Sequence, residues 1–282
     1  MRIDLNNVGY IFNGSLPINS DKSFQFVLVR LLIGPVNIVY NQNRFRQNIN
    51  YSKIPSILQQ NLRGSTAFKQ FSTNYGIGLT STQFVRKTIS ENRNFYQDVL
   101  SEFSHYFIQT ERKAHLSAFV FLYRLLERIS YSMPLLYSKK SHDFMGTFNQ
   151  LKSLFTNDNP GENGFFLNFL KSGQFIDHNV LDATYNINFS AYSDGVKYFD
   201  QIARVFNDFD SSDRSSLSFE IKFKDVPSLL IIIRNRFFHL QTGANLRNIS
   251  TKDLGSPDEL FSELNKVICS CLAAIVLQII AS

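Results

Sequence analysis

Only two cysteines occur in the 282 residues, Cys269 and Cys271. They stand two positions apart in an apolar run, and on a helix such positions point to different faces, so they cannot readily bridge. A disulfide scaffold is therefore not expected. Small core residues in a soluble protein of the reducing cytoplasm are expected instead. Tryptophan is absent, which carries no mechanism. The N-terminal MRIDLNNVGYIFNGSL lacks a basic stretch followed by an apolar one, so no signal peptide is evident. The longest apolar run near the C-terminus, VICSCLAAIVLQIIA, is interrupted by Ser270 and Gln278. It falls short of the roughly 20 residues of a membrane span, so a buried helix and no membrane partner are expected. There is no long Lys/Arg tract. The net charge of +6 and pI near 9.2 favour acidic partners, nucleic acid first. Any such contact must come from scattered basic residues gathered by folding.

Several familiar chemistries are missing. GIGLTST at 76–82 has glycines but no Gly-Lys-Ser/Thr end to hold phosphates, and reads as a turn. DFDSSDRSSLSFE at 208–220 begins like a calcium loop. Asp213 stands where the loop needs glycine, and Glu220 falls one place late, so it reads as a solvated acidic loop. His105, His115, His142, His178 and His239 show no zinc-ligand spacing, and no nucleophile elbow is present. No metal and no cofactor are expected.

Apolar residues make up 44% of the chain, enough for a substantial core. No internal repeat is visible. Residues 1–88 read as a small β-rich (α+β) module. MRIDLNNVGYIF and SFQFVLVRLLIGPVNIVYN are β-leaning runs broken at Asn13-Gly14 and Gly34-Pro35. Residues 41–50 look like a polar loop, 54–62 like a short helix with Pro55 in its first turn, and GSTAFKQFSTNYGIGLTSTQ like a series of turns.

From about residue 89 the period becomes helical, so the chain reads as mainly α, with 89–282 a helical bundle. Helices are expected over 92–109 and 112–131 (two helices, or one long kinked helix, closed by Pro134), 143–155, 165–172 and 194–209, the last capped by Asp194. Residues 157–164 form a loop, and LSFEIKFKD a short strand or extended segment. A helix over 226–240 opens near Pro227 and is followed by Gly243. The last helix opens at Ser256-Pro257-Asp258-Glu259, a capping-box pattern, and runs to about Ile280.

One constellation remains. In LLIIIRNRFFHL, residues 229–240, five aliphatic residues run directly into Arg234, Asn235, Arg236 and, after two phenylalanines, His239. A helix end explains Arg236, since cations favour the negative end of the helix dipole. It explains the Arg234, Asn235 and His239 trio less well, because an unpaired charge entering the core is costly. A cleft or subunit interface resolves the conflict. No other arginine in the chain has a histidine five to seven places on.

The pattern R-N-x-x-x-H resembles the signature of the HEPN superfamily, whose nuclease members carry R-x4–6-H near the end of a helical bundle. The resemblance covers roughly residues 90–282. It implies a HEPN-like bundle and a metal-independent endoribonuclease in which Arg234, Asn235 and His239 are catalytic. It also implies a C2 homodimer with a composite site, RNA as substrate, and a toxin-like role in toxin–antitoxin or phage-defence (abortive infection) systems, with an antitoxin or activator as partner. A non-catalytic RNA- or protein-binding scaffold is the alternative. Arg236 either binds substrate phosphate or points to water. Phe237 and Phe238 either pack the helix or stack a base. Glu127 either joins the site or pairs with Arg124 or Arg128 at the surface.

Overall fold

The computed structural model describes residues 2–4, 15–17, 23–40, 43–54, 58–59, 64–155, 162–239 and 248–282. The protein is mainly helical, with a small N-terminal sheet module. Its contacts separate into two compact units, Met1–Arg112 with Leu272–Ser282, and Lys113–Cys271.

In the first unit, strands β1 (Arg2–Asp4) and β2 (Ser15–Pro17) precede helix α1 (Phe24–Ile33). Strands β3 (Val36–Tyr40) and β4 (Asn43–Gln47) come next. The sheet order is β2-β1-β3-β4, antiparallel throughout. The short pair β5 (Ile49–Asn50) and β6 (Leu58–Gln59), and helices α2 (Gly64–Asn74), α3 (Ser81–Thr88) and α4 (Arg93–Glu111), complete it.

Four expectations fail here. FQFVLVRLLI is a helix, not a strand. Ser23 caps it by accepting from Phe26 N–H at 3.2 Å, and every residue from Phe24 to Ile33 is buried. A run that is apolar all round has no period to betray it, and such a helix belongs at the centre. It packs on α2, α3 and α4. Gly34 (φ 60°) ends it, where a Cβ would lie 3.0 Å from the Ile49 carbonyl oxygen.

Second, the polar 43–50 segment forms β4 and β5. Arg44 and Arg46 face outward, while buried Gln47 donates to the Leu31 carbonyl at 2.6 Å. Third, the turn-rich stretch after residue 64 holds α2 and α3. Phe68, Phe71 and Phe84 form one buried cluster, and Thr80 with Gln83 closes a capping box. Turns remain only between these helices, with Gly76 and Gly78 at positive φ. The helix expected over 54–62 is replaced at Leu58–Gln59 by β6, while Pro55 and Asn13-Gly14 lie outside the described residues.

The second unit opens with α5 (His115–Ser130), α6 (Ser132–Lys140), α7 (Phe144–Phe155), α8 (Glu162–Lys171) and the single turn α9 (His178–Leu181). Pro134 lies in the first turn of α6, where it is tolerated, rather than closing α5. Residues 157–161 of the expected loop lie outside the described residues, and α8 already begins at Glu162.

This unit is not helical throughout: LSFEIKFKD holds the strand expected there (Ser218–Lys222), and two further strands join it. Strands β7 (Thr184–Asn188), β8 (Ser211–Asp213) and β9 (Ser218–Lys222) form an antiparallel sheet in the order β7-β9-β8. Alternating burial of Tyr185 and Ile187 against Phe219 and Ile221 drives it. Between β7 and β8 runs α10 (Gly195–Val205). Asp194 stands at its N-cap but makes no capping bond, pairing with Lys197 at 2.7 Å instead.

Helix α11 (Val226–Phe238) and helix α12 (Pro257–Ala281) close the chain, and Gly243 lies outside the described residues. The Ser256 carbonyl accepts from Glu259 N–H at 3.2 Å, while the Glu259 carboxylate accepts from the Tyr198 hydroxyl at 2.9 Å. Asp258 accepts from Leu116 N–H at 2.8 Å and so satisfies an open donor at the start of α5. Helix α12 is long and apolar enough to cross a membrane, and 83% of its most apolar window is buried within the protein. Cys269 and Cys271 are buried and form no disulfide, and burial pushes the Cys271 thiol well up.

Candidate active site

Helix α11 starts with Pro227 in its first turn, where the missing N–H costs no hydrogen bond. Val226, Leu229, Leu230 and Ile233 are buried, and the helix packs against α5 and α10. Ile231 and Ile232 are only half-buried, so the aliphatic run is not wholly interior. The polar end comes next with Arg234, Asn235 and Arg236, all half-buried.

Arg234 is held on two sides. Its Nη1 donates to Asn235 Oδ1 at 3.0 Å, and its guanidinium carbon lies 4.6 Å from the centre of the Tyr123 ring on α5. That is within the range of a cation–π contact. Tyr123 is 9% exposed. Its phenol is raised above the ordinary tyrosine range, first by burial, then by the charge of Glu127 and a hydrogen bond to that carboxylate. Arg234 and a hydrogen bond from Asn163 on α8 oppose the shift. A chain of groups therefore runs Glu127, Tyr123, Arg234, Asn235.

Glu127 is exposed and one helical turn beyond Tyr123, at i+4. Of its two sequence readings, the contact with Tyr123 joins it to the Arg234 cluster. Tyr123 and Asn163 went unnoticed in the sequence. Tyr123 looks like one more apolar-face residue of α5, and nothing local links Asn163 to it.

Arg236 matches neither of its two readings simply. Its carbonyl accepts from Ile249 N–H at 2.9 Å, while its Nη1 is shut from solvent with no hydrogen-bond partner. Close by, Arg204 of α10 donates from Nη2 to the Asn248 carbonyl at 2.9 Å, and its Nε is likewise enclosed and unpartnered. Unsatisfied cationic donors are costly, and an anion would relieve them.

The two phenylalanines anchor the helix end. Phe237 meets Phe261 of α12 edge-on at 5.0 Å, and Phe238 stacks on Phe119 of α5 at 5.8 Å. Phe119 and Phe261 are themselves 4.7 Å apart. Phe238 keeps 41% of its surface exposed.

His239 leaves the helix as its C-cap, on extended backbone (φ −114°, ψ 116°), and is exposed. It makes no hydrogen bond to any described residue, Arg234 and Asn235 included. Within one chain a hydrogen bond thus joins Arg234 to Asn235, and none joins His239 to either. Among the described residues no group of acidic, histidine or cysteine side chains could hold a metal ion. The chain matches no protein-family model, no curated protein and no solved structure.

Proposed function

We propose that this protein is a metal-independent endoribonuclease, acting as a homodimer on RNA. The observation that carries this reading is the end of α11. A cation is fixed by an aromatic ring and an amide, and a free imidazole stands five residues later at the surface.

RNA brings its own nucleophile. The imidazole of His239 accepts the proton of the 2′-hydroxyl, whose oxygen attacks the adjacent phosphorus. The bond to the 5′-oxygen breaks, that oxygen takes up a proton from water, and a 2′,3′-cyclic phosphate (or, once water opens it, a 3′-phosphate) and a 5′-hydroxyl result. Arg234 suits the phosphate because its planar fork donates twice and its charge meets the charge that builds there. Asn235 orients that guanidinium, and half-buried Arg236 supplies a further contact to the strand. A second copy of the motif across a two-fold axis would bring the separated Arg234 and His239 functions together. The resemblance to HEPN nucleases supplies the biological setting of a toxin-like effector in toxin–antitoxin or phage-defence systems, with an antitoxin or activator as partner.

The second reading is a non-catalytic RNA- or protein-binding scaffold, favoured by the lack of any hydrogen bond from His239 to Arg234 or Asn235 within one chain. The decisive experiment incubates purified protein with labelled RNA in EDTA, beside His239→Ala and Arg234→Ala. The nuclease reading expects cleavage by the wild type alone, leaving cyclic-phosphate ends. Intact RNA and equal harmlessness of all three on expression favour the scaffold, and loss of cleavage in EDTA overturns the metal-free mechanism.

A further inference from the structure

We propose that the first unit carries a nucleotide-binding pocket of its own, where the β3–β4 hairpin faces the C-terminal end of α4. The cavity measures about 230 Å³ and is lined by Tyr40, Arg44, Phe45, Ile108, Glu111 and Arg112. Ile38 pairs with Phe45 across the hairpin, and Tyr40 lies two residues beyond Ile38. Side chains alternate along a strand, so Tyr40 and Phe45 share the face of fully buried Ile38. Buried Ile108 gives the pocket an apolar floor. Arg112 is the C-cap of α4. Its backbone N–H is fixed to the Ile108 carbonyl at 3.2 Å, and its guanidinium lies 5.4 Å from the centre of the Tyr40 ring.

These groups select a ligand by chemistry. Two aromatic rings and an aliphatic floor accept a flat heterocycle, as base-stacking sites do. The Arg112 guanidinium against the Tyr40 ring favours a phosphate beside that ring. Glu111 accepts from a base N–H or a sugar hydroxyl. Pockets that engulf a drug-sized ligand hold ~300–1,000 Å³. This smaller one takes a single base and leaves its phosphate at the mouth, beside Arg112. The ligand is therefore one nucleotide unit, either a base turned out of single-stranded RNA or a free mononucleotide. The inference stands apart from the cleavage chemistry of α11.

The test uses the full chain carrying Arg234→Ala and His239→Ala, which removes cleavage and the other phosphate contact. Binding of adenosine monophosphate is measured by calorimetry, and binding of a fluorescein-labelled oligoadenylate ten-mer by polarisation. At least one probe should bind, and Arg112→Ala and Tyr40→Leu should each weaken it about tenfold, within the range of a lost base stack. Much tighter binding of the ten-mer than of the monophosphate identifies RNA as the source, and the reverse a free nucleotide. Arg112 is exposed, so Arg112→Ala leaves the core untouched and is the deciding variant. If neither probe binds, or if Arg112→Ala binds both as tightly as its parent, the assignment is overturned.

Discussion

The guanidinium of Arg234 rests 4.6 Å from the centre of the Tyr123 ring, and the Tyr123 hydroxyl is tied to Glu127. This joins the motif helix to α5 at the point where α11 turns polar. It also explains how a cation is tolerated directly after an aliphatic run. The charge is met by a ring face below and an amide oxygen beside it, not by the core.

Removing that ring should cost the motif its fixed arginine. A cation–π contact contributes about 0.5–2 kcal/mol, so Tyr123→Leu should slow RNA cleavage roughly 3–30-fold. Tyr123→Phe keeps the ring and loses only the hydroxyl, and should stay within about threefold of wild type on the same basis. Initial cleavage rates, taken with a thermal melt of each variant, decide the matter. A folded Tyr123→Leu protein that cleaves at the wild-type rate excludes the ring as Arg234's support.

Much of the second unit was legible because its helices are half-buried and periodic. Residues 112–131 and 143–155 sit close to where α5 and α7 lie, and Leu122, Leu126 and Ile129 face inward at helical spacing. The first unit was not, and α1 shows why. A helix buried on every side carries no polar stripe, so FQFVLVRLLI looks like a strand until its Ser23 cap is seen. Strand β4 fails in the opposite sense, since Arg44 and Arg46 make an edge strand look like a loop. At the site, Arg234, Asn235 and His239 stood out by type and spacing. Tyr123 and Asn163 did not, because their role rests on contacts between helices far apart in sequence.

The end of α11 is anchored by rings, and Phe261 is the centre of that anchor. It is fully buried and touches Phe119 and Phe237. Replacing a buried phenylalanine with alanine costs about 3–5 kcal/mol. Phe261→Ala should therefore lower urea-denaturation stability by that order, while the part-exposed Phe238→Ala should cost clearly less. Equal losses would show that the stack on Phe119 matters more than burial.

Stability should also fall on acidification, through His115. Burial is the largest influence and holds its imidazole below the ordinary histidine value, with Lys266 and Lys113 pushing the same way and Asp258 and Glu263 opposing. As pH falls through about 6.5 the unfolded chain binds a proton that the folded one refuses. The contribution is therefore complete above that pH and shrinks below it, down to the lowered folded value. The urea midpoint should be higher at pH 7.5 than at pH 5.5, and His115→Gln should narrow the difference. An unchanged difference assigns the acid sensitivity to other groups.

Because no hydrogen bond links His239 to Arg234 within one chain, a shared site in a dimer is worth testing by mixing. Suppose each site takes its arginine from one copy and its histidine from the other. Arg234→Ala and His239→Ala chains, each inactive alone, then make mixed dimers with one intact site of two. Random pairing makes half the dimers mixed, so an equal mixture should recover about a quarter of wild-type cleavage if the assembly is a closed two-fold dimer. If both groups of a site come from the same chain, mixed dimers hold no intact site and the mixture stays inactive. Co-refolded chains, assayed on labelled RNA in EDTA, separate these two results without any structure of the complex.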